Sequence, residues 1–200
     1  MRLLLFWTIV VSLTALLSAQ DAGRGGQPGR GAAPAPPAMT LTIDGFPDGG
    51  HIPVKFSQAA PGVPVGEGTS PAMSWANVPA GTQSFFLNMH DMDLARNKTT
   101  DDQAHWVLWN IPATATGLPE GVPNEAKLAD GTTQPKSLRG AYGYMGPGAG
   151  AAGPYHHYTW ELFALDTKLD LTADASLADV LKAIDGHVLA KAAVEGRFHR

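Results

Sequence analysis

Four of the seven histidines in this 200-residue chain fall beside other polar side chains at the edges of short apolar runs. His90, Asp91 and Asp93 close the run 85–89, His105 opens the run 106–111, and His156, His157 and Tyr158 open the run that ends at Asp166. Imidazole, carboxylate and phenol gathered in one place can hold a metal, move protons, or donate hydrogen bonds to a phosphate. The chain has no Cys, no His-Glu-x-x-His and no EF-hand loop, so neither a metal nor another cofactor is expected. A Gly-x-Ser-x-Gly nucleophile elbow is also missing, so the sequence does not read as a serine hydrolase. A pocket for a phosphoryl group leaves the fewest residues idle: His and Tyr donate to phosphate oxygens, and Asp91 either fixes a His tautomer or receives a ligand ammonium. An acid–base pair of Asp91 and His105 acting on a small ester or phosphate stays open as the alternative.

These side chains need strands to bring them together. The runs 85–89 and 106–111 are short, rich in β-formers and separated by a charged loop, so each predicts a buried strand, and the polar groups converge if the two are neighbours. Upstream, 39–43 alternates as a half-buried strand, 44–50 carries turn chemistry, 52–56 predicts a short edge strand containing Pro53, and 70–75 predicts another strand. The Gly- and Pro-rich stretch 112–153 is too long for a simple connection and reads as a pocket wall. In the strand 156–166, His156, Tyr158, Trp160 and Leu162 share one face, and His157, Thr159, Glu161 and Phe163 the other. A helix is predicted over 170–185, with Ser176 as N-cap, Asp179 at its third position, an apolar stripe of Leu177, Val180, Leu181 and Ile184, and Gly186 as its stop. The tail reads as a helical piece over 187–191 and a strand over 193–198. Trp75, Trp106, Trp109 and Trp160 are expected to pack in the core or at the rim, and His51, His187 and His199 to be structural or solvated. The fold class is mainly β with antiparallel pairing and one or two short C-terminal helices.

With 44% hydrophobic and 16% charged residues, 23 Gly and 16 Pro, the composition fits one loop-rich globular domain. A formal net charge of -4 offers no footprint for nucleic acid. Arg2, the apolar run 3–17 and the small or polar Ser18, Ala19 and Gln20 have the pattern of a secretory signal, which assigns 1–20 to export with cleavage after Ala19 or Gln20. The run is short for a permanent membrane span, and without Cys there is no lipid-anchored Cys and no disulfide. Residues 21–38, mostly Gly, Ala, Pro, Arg and Gln, predict a disordered linker, and the domain occupies 39–200. The expected location is the periplasm or the medium, with no stable transmembrane span after processing.

Five motifs then occur in order: Ser70-Pro71-Ala72-Met73-Ser74-Trp75, Asp91-Met92-Asp93, His105-Trp106-Val107-Leu108-Trp109-Asn110-Ile111-Pro112, Gly143-Tyr144-Met145-Gly146-Pro147 and Gly153-Pro154-Tyr155-His156-His157-Tyr158. Together they resemble the phosphatidylethanolamine-binding protein family, in particular its bacterial branch, often labelled Raf kinase inhibitor-like proteins. The resemblance spans roughly 41–198. It implies a sandwich of two antiparallel sheets and a small pocket for phosphate or phospholipid head groups, without catalysis. It places Asp91, His105, His156 and Tyr158 in that pocket, Gly146 and Pro147 in its wall, and Asp93 as a residue that fixes the loop. Met92, Leu94 and Ala95 stand where the family has Pro, Ala and Pro, and His157 where it has Arg, which implies a softer, wider mouth. Family members that inhibit proteases by docking a surface supply a further alternative, with the protein partner unknown.

Overall fold

The computed structural model describes residues 37–96 and 98–200. The predicted export signal at 1–20 and the linker up to residue 36 lie outside the described residues. No helix among the described residues is long and apolar enough to cross a membrane.

Strand β4, Ser84–Asp91, is the centre of the domain. It is apolar almost without interruption because both of its faces are covered. On one side it pairs antiparallel with β5, Gln103–Pro112, and on the other with β7, His156–Leu165. Beyond β7 comes β8, Val188–Phe198, and at the edge the two-residue β2, Gly50–His51. A second sheet, in the order β1, β3, β6, is formed by Thr40–Ile43, Met73–Ala76 and Gly117–Leu118.

The two sheets enclose the main core. Leu41, Ile43, Met73 and Trp75 from the small sheet meet Phe85, Leu87, Met89, Trp106, Leu108, Trp160 and Leu162 from the large one. On the outer face Phe86, Val107, Trp109 and Leu165 pack under the helix α1, Leu177–Ile184, which buries Val180 and Ile184. Burial of each such aliphatic side chain contributes about 1.5–3 kcal/mol. Along β4, alternate residues therefore serve different layers: Phe85, Leu87, Met89 and Asp91 face the sandwich, and Phe86, Asn88 and His90 face the helix side. The helix begins where the sequence places its cap. Ser176 Oγ accepts from the Asp179 N–H, and the Asp179 carboxylate accepts in return from the Ser176 N–H.

Four expectations are corrected. Residues 52–56 form no strand: Pro53 starts a 3-10 turn, Val54–Phe56, that buries Phe56, and the strand lies just upstream at Gly50–His51. That short strand runs parallel to β8, so pairing is not antiparallel throughout. The tail has no second helix. Its residues from Val188 onward continue as one long strand against β7, because hydrogen-bonded pairing along ten registered positions outweighs the helix preference of an Ala- and Lys-containing segment. The helix itself is shorter than 170–185 and starts only after Ser176.

Candidate functional site

The ends of β4, β5 and β7 bring the predicted site residues together, and a bulge decides which side His105 faces. Met89 is registered with Trp106 but His90 with Ala104, so His105 is the extra residue of β5. The bulge turns its ring toward the sandwich, where it lies edge-on to Tyr158 with centroids 5.1 Å apart. Tyr158 is the registered partner of Asp91, and His156 is two residues before it on the same face.

Asp91 is buried, with its side chain 1% exposed. Its Oδ1 accepts from the Asp93 N–H at 3.0 Å and its Oδ2 from His156 Nδ1 at 2.8 Å. The carboxylate thus fixes the His156 tautomer with the proton on Nδ1, and Nε2 makes no hydrogen bond among the described residues. Burial, followed by the charge of Asp91, pushes the Tyr158 phenol well above its ordinary range, so it stays a hydroxyl. Its oxygen accepts from the Gly148 N–H at 3.3 Å.

His105 is held at both nitrogens. Nδ1 donates to the Met145 carbonyl at 2.8 Å, and Nε2 accepts from the Gln103 amide at 2.8 Å. Gln103 Oε1 accepts in turn from Arg96. Burial lowers the His105 pKa more than these contacts raise it, so the ring is a neutral wall residue.

Gly146 and Pro147 form the facing wall. A Cβ at 146 would come within 2.7 Å of the Phe56 carbonyl oxygen and 2.9 Å of Ser57 Cα, so only glycine fits. Gln58 ties this wall down: its Nε2 donates to Gly146 O at 2.7 Å, and its N–H donates to Pro147 O at 2.9 Å. Asp93 reaches across to β7, where Oδ2 accepts from the His157 N–H at 2.6 Å. Burial opposes the charge on Asp93, but the His157 backbone and imidazole outweigh it and hold the pKa below the usual range.

His90 does not join this group. It faces the opposite side of the sheet, where Nδ1 bonds Asp102 at 2.8 Å and Nε2 lies 3.5 Å from Glu161. Burial alone would lower its pKa; the two carboxylates raise it. Gln103, Gln58 and the Met145 carbonyl were not singled out from sequence. Gln103 could have been, because it stands two positions before His105 in a strand, whereas Gln58 carries no local signal.

Asp91, Asp93 and His156 offer ligand atoms within 4.8 Å of one another. Both Asp91 oxygens, Asp93 Oδ2 and His156 Nδ1 are already engaged in hydrogen bonds, so the arrangement reads as a self-satisfied polar cluster. What it leaves without a partner is His156 Nε2, with the buried Tyr158 hydroxyl between Asp91 and the Gly148 N–H.

The model of the phosphatidylethanolamine-binding protein family matches residues 42–199. A UPF0098 protein of Methanothermobacter thermautotrophicus is 40% identical over 162 residues, covering 81% of this chain and 99% of that one. The UPF0098 protein YbhB of Escherichia coli is 33% identical over 162 residues, 80% of this chain and 99% of its own. Among solved structures, E. coli YbcL, described as a new member of the mammalian PEBP family, superposes with a TM-score of 0.70 at 28% identity, covering 82% of this chain and 99% of its own. The Chlamydia trachomatis homologue CT736 gives a TM-score of 0.68 at 28% identity, with 82% and 98% covered. In sequence, in the order of its strands and in its two-sheet architecture, this chain belongs to the phosphatidylethanolamine-binding protein family.

Proposed function

We propose that the chain is an exported, non-enzymatic binding protein whose pocket at Asp91, His105, His156 and Tyr158 takes a small anion, either phosphate or a phospholipid head group. The observation that carries this reading is the Asp91–His156 pair. A buried carboxylate accepts from Nδ1 and orients the ring, whose Nε2 has no partner among the described residues and in the protonated form donates to an acceptor. Tyr158, kept as a hydroxyl, is the second donor. The acid–base alternative is less well supported, since both nitrogens of His105 are bound internally and its pKa is lowered. Export rests on the sequence of residues 1–20.

Calorimetry of inorganic phosphate and phosphorylethanolamine on the whole chain, at about pH 6 and about pH 8, tests the proposal. The expected result is saturable binding at the lower pH that weakens at the higher and is lost in His156→Ala. A preference for phosphorylethanolamine over phosphate assigns the pocket to head groups, and equal affinity assigns it to phosphate itself. A folded chain that binds neither at either pH overturns the reading.

A further inference from the structure

The outer face of the large sheet carries a cavity, on the other side of β4 from Asp91. It measures about 570 Å³ and is bounded by Asn88, His90 and Glu161 of the sheet, by Asp101 and Asp102 of the loop before β5, and by Leu177, Ala178 and Leu181 of α1. A smaller cavity of about 170 Å³ adjoins it and shares Ala104, Leu138, Ser176 and Leu177 with it. Together they form a cleft of the size that holds small organic ligands.

Its chemistry is asymmetric. One wall is apolar, and two of its members, Leu138 and Leu181, are 55% and 45% exposed. The opposite side carries three carboxylates, Asp101, Asp102 and Glu161. Of the cations nearby, Lys191 pairs with Glu161 and Arg96 Nη1 donates to Gln103, while Arg96 Nε has no partner among the described residues and Lys136 lines the smaller cavity. His90 lies between Asp102 and Glu161. The most telling group is Asn88. It is only 7% exposed, it lines the cavity, and its Oδ1 has no hydrogen-bond partner among the described residues. A buried amide oxygen left unpaired is costly and calls for a donor.

We propose that this cleft is a second ligand site, taking a small organic ammonium with an apolar body. The ammonium donates to Asn88 Oδ1 and to the carboxylates of Asp101 and Asp102, and the apolar body lies along Leu138, Leu177, Ala178 and Leu181. An anion fits poorly, because it would face three carboxylates and leave Asn88 Oδ1 without a donor. The cleft lies on the other face of β4 from Asp91, since His90 and Asp91 serve the two faces, and His105 is shared, as it also lines the smaller cavity.

The test is a nitrogen-15 NMR titration of the whole chain with phenethylammonium chloride and, separately, with 3-phenylpropionate, which keeps the ring and reverses the charge. The ammonium should shift the amides of Ala104, Leu177, Ala178 and Leu181 and the Asn88 side chain saturably, with no such response to the carboxylate. Asp102→Asn should weaken binding about fivefold, and Leu181→Lys should abolish it. Both positions are exposed, so the variants fold, and unchanged spectra elsewhere confirm this. Inorganic phosphate should leave the cleft resonances in place. Absence of saturable shifts up to about 10 mM ammonium, or an equal response to the two probes, overturns the proposal.

Discussion

Replacing Asp91 by Asn removes one charge and one acceptor while keeping the shape of the side chain. Asp91 serves two donors, the Asp93 N–H on Oδ1 and His156 Nδ1–H on Oδ2. Asparagine has a single oxygen. If that oxygen stays with Asp93, the amide nitrogen faces His156 Nδ1 and donor meets donor. The ring relieves the conflict by moving its proton to Nε2, so that Nδ1 accepts. A hydrogen bond to a charged group contributes about 1.5–3 kcal/mol and a neutral one about 0.5–1.5, so the expected loss is about 1–2 kcal/mol. For a domain of this size that lowers Tm by roughly 2–8 °C. Long-range proton–nitrogen NMR reads the tautomer and calorimetry the Tm. A His156 ring that keeps its proton on Nδ1 in the variant, with Tm unchanged, would refute the reasoning.

Gly146→Ala should lower stability by about 1–3 kcal/mol, since the new Cβ meets backbone atoms of Phe56 and Ser57 that cannot swing aside; an unchanged urea midpoint would show that this wall has room. The pH dependence of stability should carry opposed contributions from two histidines. His105, whose pKa burial lowers, contributes stability that is present above the ordinary imidazole value and lost as pH falls toward its folded value, whereas His90, raised by Glu161 and Asp102, contributes below that ordinary value and loses it as pH rises past its folded one. His90→Gln should therefore lose stability more steeply than the parent between about pH 7 and about pH 5, and parallel urea curves would contradict the assignment. Further down, Glu161 is held to about 2, first by His90 beside it and then by Lys191, so its contribution, present above the ordinary carboxylate range, fades as pH falls toward that value.

Features set by neighbouring residues were legible in the sequence. The cap of α1 was, because Ser176 and Asp179 satisfy each other within one turn. So was the facing of His156 and Tyr158, which follows from the two-residue period of a strand. The same period separates His90 from Asp91, yet grouping by proximity in the chain put them in one cluster; they belong to opposite faces of β4. What depends on distant partners was hidden. The bulge that turns His105 inward exists only in the pairing of β5 with β4, and the Gln58 anchor of the glycine wall spans 88 residues of chain. Residues 188–191 look helical in isolation and join the strand because β7 offers a full edge.

The place of β8 also bears on how the chain acquires its fold. It lies between β7 and β2, pairing Gly196 with Gly50 and Phe198 with His156. Sheet order thus places β2 and β8, far apart in the chain, side by side, and the edge of β7 remains open until β8 docks. Non-local closures of this kind are slow. The β4–β5 hairpin and its pairing with β7 can form first, but the sheet is closed only when β8 docks. Loss of β8 would leave an unpaired strand edge on β7, a template for intermolecular pairing.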